Sequence, residues 1–224
     1  MVTYALLAAN VTVFLFQFTL DPDAGRQLVL RYGVVPYYLT EGFHAGSLST
    51  PLTAMFLHGG WFHLLSNLWF LHIFGDNVED ALGRLRYALF YVGCGLAAAA
   101  AHVFVDADGR MPMIGASGAI SGVLAAYFRL FPGARVVTFI WLLLIFVREL
   151  PALLLIALWF VLQLFGGIGS LGHVDDAGGT AFFAHIGGFV AGLLLVGWIG
   201  LRREPRADWL RPDDAAGHAE RRQP

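Results

Sequence analysis

Hydrophobic positions in this chain fall into long runs rather than the interrupted stripe of a surface helix. Six segments read as membrane-spanning helices: Tyr4–Leu20, Leu52–Phe74, Leu85–Val105, Ile114–Leu130, Pro151–Ile168 and Ala181–Leu201. A helix needs roughly 20 residues to cross the hydrocarbon core, and these runs lie near that length. Asp21-Pro22-Asp23 ends the first run. The following connection, 21–50, is long enough to carry structure or function of its own, and its aromatic residues suit the membrane interface. Gly75 to Asp80 predicts a charged turn, Asp106 to Arg110 a further loop, and Phe131-Pro132-Gly133 the end of the fourth span.

The stretch 136–165 is too long for one ordinary span, and Arg148, Glu149 and Pro151 interrupt it. Residues 136–147 are read as an interfacial or re-entrant segment, with two half-spans or one tilted helix as the alternatives. Residues 166–180 read as a glycine-rich, mobile loop. The expected organisation is an all-α polytopic membrane domain over residues 1–203 and a polar, disordered cytoplasmic tail over 204–224. The first run lacks a basic flank and a small-residue cleavage site, so it is expected to be retained rather than removed as a signal peptide.

Composition agrees with the runs. Of 224 residues, 58% are hydrophobic and 13% charged, and mean hydropathy is +0.67; a soluble domain carries about 25% charge. A net charge of −2 gives no basis for nucleic-acid binding. The single Cys94 excludes an internal disulfide framework and a four-cysteine metal site. With both termini in the cytoplasm, eleven arginines fall on that side and three (Arg26, Arg31, Arg110) on the other. That is the positive-inside arrangement. It puts Ser117 and the 166–180 loop toward the outer face.

Polar groups inside spans cost free energy and draw attention for that reason. The second span holds His58, His63, Asn67 and His72. His63 and Asn67, four residues apart, share a helical face, whereas His58 sits about 140° round from His63 if the helix extends that far. His58 and His72 are equally explained as hydrogen-bonded packing residues. The fourth span opens with Met113-Ile114-Gly115-Ala116-Ser117-Gly118, and the sixth contains a strongly polar residue, His185. Gly118 and Gly122 on one helix, and Gly188 and Gly192 on the other, make small-xxx-small faces that permit close approach. Such faces are explained by packing alone, but they also allow Ser117 as nucleophile to meet His185 as general base. No Asp or Glu lies in the sixth span to orient the histidine, so a dyad is the natural reading. Metal binding by His58, His63 and His185 competes poorly. There is no His-Glu-x-x-His run, and an i, i+5 pair does not share a helical face. Nothing in the sequence asks for a cofactor.

These motifs together resemble the rhomboid intramembrane serine proteases, from Thr3 to about Gly200. The resemblance rests on Gly115-Ala116-Ser117-Gly118, on Ala184-His185-Ile186-Gly187-Gly188, and on His58-Gly59-Gly60-Trp61-Phe62-His63-Leu64-Leu65-Ser66-Asn67. Phe74-Gly75 with Glu79 and Gly83 adds a fourth match. It implies a six-helix bundle with a water-accessible cavity, hydrolysing peptide bonds in single-pass membrane proteins within lipid. By the same resemblance Ser117 attacks, His185 carries the proton, and His63, Asn67 and the Ser117 N–H form an oxyanion hole. His58, Gly115, Gly118 and Gly188 are supporting residues. Two departures stand out. Ser49-Thr50 replaces a Trp-Arg pair common before the second span, and Ser121 replaces a tyrosine that stacks under the histidine in some members. His185 must therefore be held by something else. A catalytically dead relative that binds membrane clients, and a transporter using the histidines as a proton relay, are the rival readings. Oligomeric state is not legible, and the short termini lean toward a bacterial plasma membrane.

Overall fold

The computed structural model describes residues 1–141, 145–170 and 181–199. Among them are eight α-helices: α1 Val2–Thr19, α2 Pro22–Tyr32, α3 Thr50–Thr53, α4 Trp61–Leu82, α5 Arg84–Val105, α6 Ser117–Leu130, α7 Ala152–Ser170 and α8 Ala181–Trp198. A two-stranded antiparallel hairpin, β1 Arg135–Trp141 and β2 Ile145–Pro151, joins α6 to α7.

α5 and α6 form the centre. Tyr87, Phe90, Tyr91, Cys94 and Ala98 of α5 are buried, as is nearly every residue of α6 from Gly118 to Tyr127. The outer helices turn bulky apolar side chains outward instead, among them Phe16 and Phe18 of α1 and Leu154, Leu158 and Leu162 of α7. Exposed apolar surface on this scale, around a well-packed interior, suits a hydrocarbon solvent rather than water. By length and composition, α1 and α5 are each sufficient to cross a membrane, while Ala152–Gly166 and Phe182–Trp198 are shorter apolar stretches. α6 has 14 residues and is about 21 Å long, short of the roughly 30 Å hydrocarbon core.

α8 packs most extensively on α5 and α6. The reason is the absence of side chains at the α6–α8 crossing. A Cβ on Gly188 would meet the Gly118 carbonyl, and one on Gly192 would meet the Gly122 carbonyl. Backbone therefore touches backbone, as small-xxx-small faces allow.

The N-terminus of α1 has no side-chain cap of its own. Its orphan N–H groups are satisfied from α4: Glu79 accepts from the Val2 N–H, the Thr3 N–H and the Thr3 hydroxyl, each at 2.8 Å. A carboxylate at a helix N-terminus also meets the positive end of the helix dipole.

Several boundaries differ from the sequence expectation. Within 136–147, read from the sequence as an interfacial or re-entrant segment or as parts of a helix, residues 136–141 and 145–147 are strand, belonging to β1 and β2, with Arg135 opposite Pro151 and Trp141 opposite Ile145. Val136, Val137, Thr138, Phe139 and Ile140 are β-branched or aromatic, which favours strands, and apolar run length alone does not separate the two states. The fold is thus mostly helical rather than strictly all-α. The expected second span, Leu52–Phe74, is broken: α3 and a 3-10 turn at Ala54–Phe56 precede an extended stretch at 57–60, and α4 begins only at Trp61. His58 therefore stands ahead of the helix, not on it. The expected turn at 75–80 is continuous helix, because α4 runs on to Leu82. α7 also extends to Ser170, so the first part of the expected 166–180 loop is helical. The rest of that loop and the tail lie outside the described residues.

The connection 21–50 is well structured. Asp21 caps α2 by accepting from the Asp23 and Ala24 N–H groups at 3.0 Å. Val34 and Met113 then exchange backbone hydrogen bonds, N–H to carbonyl in both directions, at 3.0 and 2.8 Å. The Thr40 hydroxyl donates to the Ala107 carbonyl at 2.7 Å, and the Arg110 guanidinium lies 4.0 Å from the centre of the Tyr37 ring. These contacts anchor the first connection to the segment leading into Ser117.

Candidate active site at the α6–α8 crossing

Ser117 opens α6, and the first helical bond there runs from the Ile120 N–H to the Ala116 carbonyl at 3.0 Å. The N–H groups of Ser117, Gly118 and Ala119 accordingly have no acceptor within the helix. They direct positive partial charge to the place where the serine oxygen sits.

His185 enters from α8, three residues before the Gly188 contact. Its Nε2 lies 2.8 Å from Ser117 Oγ. Its other ring nitrogen, Nδ1, lies 2.7 Å from Gln163 Oε1 of α7. Trp159, one turn earlier on α7, sets its ring 5.7 Å from the imidazole. Both nitrogens of His185 are thus engaged, one by an alcohol and one by an amide. Ser121 donates its hydroxyl to the Ser117 carbonyl at 2.6 Å, within its own helix.

His63 comes from the first turn of α4. Its Nδ1 accepts from the Gly59 N–H at 3.3 Å, so the neutral ring carries its proton on Nε2. That Nε2 is directed at Gly115: a Cβ built there would lie 2.6 Å from it and 3.7 Å from Ser117 Oγ. Gly115 also holds φ +121° and donates to the Ala54 carbonyl at 2.8 Å. A side chain at position 115 is therefore excluded twice, by conformation and by space. Asn67 is buried one turn along α4, with its amide donating to the His63 carbonyl at 2.8 Å.

His58 is buried beside these groups, its ring centre 5.2 Å from that of His63. Gln17 of α1 clamps its peptide, accepting from the His58 N–H at 3.1 Å and donating to the His58 carbonyl at 3.3 Å. Ser117, His185, His63 and Gly115 therefore converge, with His58 behind His63 and the amide of Asn67 turned to its own helix. A cavity of about 20 Å³ beside Ser117 and His185, lined also by Met55, Met113, Ile114 and Gly118, has room for about one water molecule. Among the described residues no group of three or more His, Cys, Asp or Glu side chains is placed to hold a metal ion.

Two residues of this arrangement are not among the site candidates of the sequence reading, Gln163 and Gln17. Gln163 is the strongly polar side chain of an otherwise apolar α7, and the rule that singles out His185 applies to it equally.

Residues 45–203 match the family model described as the Rhomboid domain. The chain is 32% identical over 161 residues to RHOMBOID-like protein 5 of Arabidopsis thaliana, covering 72% of this chain and 46% of that protein. It is 28% identical over 200 residues to Rhomboid protein 1, mitochondrial, of Saccharomyces cerevisiae, covering 87% and 52%. It is 30% identical over 132 residues to the Presenilin-associated rhomboid-like protein, mitochondrial, of Bos taurus, covering 58% and 33%. The chain thus spans about half the length, or less, of these relatives. A family model matched over most of the chain, on a mostly helical scaffold with apolar outer faces, identifies this integral membrane protein as a member of the rhomboid family.

Proposed function

We propose that this protein is an intramembrane serine endopeptidase acting on single-pass membrane proteins through a Ser117–His185 dyad. The observation that carries the reading is the 2.8 Å approach of His185 Nε2 to Ser117 Oγ across two helices. Nucleophile and base at hydrogen-bond distance are the signature of activated serine chemistry.

In this reaction Ser117 Oγ attacks the scissile carbonyl carbon while its proton passes to His185 Nε2. The tetrahedral oxyanion is met by the Ser117 N–H and the His63 Nε2–H, with Asn67 holding the His63 backbone on the same face. Collapse breaks the C–N bond, His185 gives its proton to the leaving amine, and an acyl-Ser117 ester remains. Water from the adjacent cavity then attacks the ester, losing a proton to His185; collapse breaks the C–Oγ bond, His185 returns that proton to Ser117 Oγ, and the acid is released. A buried site strengthens each of these interactions relative to water.

The reading includes six spans built from α1, α4, α5, α6, α7 and α8 over residues 1–203, with both termini on the arginine-rich side. α6 is too short to span alone, which suits a serine lying below the outer surface in a wet hollow. Two of the relatives are named mitochondrial, so placement in a bacterial plasma membrane draws no support from them. The test is active-site labelling: a fluorophosphonate should label the purified protein in detergent at Ser117, and Ser117→Ala should abolish labelling. Equal labelling of the alanine variant would overturn the assignment. A client-binding protein or a transporter would take no label.

A further inference from the structure

We propose that Gln163 is a positioning residue for His185, supplying from α7 the orienting group that α8 lacks; this rests on the peptidase reading above. Gln163 Oε1 stands 2.7 Å from His185 Nδ1, while the opposite nitrogen faces Ser117 Oγ at 2.8 Å. With the amide oxygen accepting from Nδ1–H, Nε2 is left without a proton and able to receive one from the serine. The rest of α7 around it is apolar, and a glutamine there loses hydration that only a partner restores. His185 is that partner.

Position on the helix supports the same role. Trp159 and Gln163 are four residues apart and share one face of α7, and both meet His185, one through its ring and one through its amide. The indole restricts the plane of the imidazole, and the amide restricts its rotation about that plane. A buried aspartate does this by charge in the better-known triads, accepting only and stabilising the imidazolium. Glutamine does it without charge, so it orients the base without holding a proton on it. Among the described residues, the titratable side chain that acts electrostatically on His185 is His63 of α4; Ser117 on α6 and Gln163 and Trp159 on α7 bring no formal charge.

The test compares wild type, Gln163→Leu and Gln163→Glu in cleavage of one reconstituted single-pass substrate across a pH series, with thermal unfolding measured alongside. Gln163→Leu should fold, because leucine suits an apolar helix, and should lose on the order of 10–100-fold in kcat with KM little changed. Gln163→Glu keeps an acceptor on Nδ1 and should restore the rate at high pH. Its carboxylate favours the protonated imidazole, so the acidic limb of its pH–rate profile should move to higher pH by about one unit or more. A Gln163→Leu rate equal to wild type, or a Gln163→Glu profile superimposable on wild type, would overturn the positioning role. Loss of rate in both variants with no displacement of the acidic limb would overturn it too, marking Gln163 as packing only. Failure of wild type to cleave or to take the serine-directed label would instead count against the peptidase reading itself.

Discussion

Thr3 gives Glu79 both its backbone N–H and its hydroxyl, each at 2.8 Å, across 76 positions of sequence. Glu79 is 2% exposed and Thr3 fully buried, so these bonds, with the one from the Val2 N–H at 2.8 Å, take the place of water around the charge. α1 is thereby tied to the end of α4 through its backbone.

Removing that carboxylate should destabilise the protein without touching the chemistry. Hydrogen bonds to a buried charged group are worth about 1.5–3 kcal/mol each, and their contributions overlap. Glu79→Ala is expected to cost about 2–4 kcal/mol. Thermal unfolding in detergent should show a clear fall in Tm, while the fraction still folded cleaves at the wild-type rate. An unchanged Tm would mean that the α1 cap contributes little.

The Gly188–Gly118 contact predicts a strong position dependence among glycines. Gly188→Ala puts a methyl group against the Gly118 carbonyl and must push α8 from α6, parting His185 from Ser117. Loss of activity should exceed the loss of stability, because catalysis tolerates only about 0.5 Å of misplacement. Gly25→Ala meets nothing within 4 Å and lies inside α2, so it should leave activity unaltered and Tm unlowered. Equal effects of the two substitutions would contradict the role of the crossing.

His63 is expected to act as an oxyanion donor. His63→Ala should lower kcat by about 10²–10³-fold, with KM nearly constant. Gly115→Ala should produce a loss in the same direction, since its methyl group would displace the His63 ring. Steady-state kinetics on one peptide-bond substrate checks both, and a His63→Ala effect confined to KM would remove the residue from that role.

How far the sequence speaks for this arrangement depends on what each residue needs. Ser117 and His185 are legible because polar groups in apolar runs require a reason, and the glycines beside them point to close packing. Glu79 and Gly75 look like a turn because acidic residues seldom continue a membrane helix. The helix continues because the partner of Glu79 comes from α1, a tertiary fact. His58 looks helical because it lies inside the apolar run from Leu52 to Phe74, whereas residues 57–60 are not helical and α4 begins at Trp61. The strand pair at 135–151 is hidden in the sequence because the residues between its two strands, Leu142-Leu143-Leu144, include none of the Asn or Gly that mark tight hairpins. Gln163 escapes notice because one amide in a span suggests no chemistry until its neighbour is known.

The most direct test is turnover itself. Wild-type protein, Ser117→Ala and His185→Ala, each reconstituted in liposomes and shown to be folded, should be given the same panel of single-pass membrane substrates. Wild type is expected to cut at least one substrate in or beside its transmembrane segment, and both variants to leave every substrate intact. Cleavage that persists in folded Ser117→Ala would contradict the account.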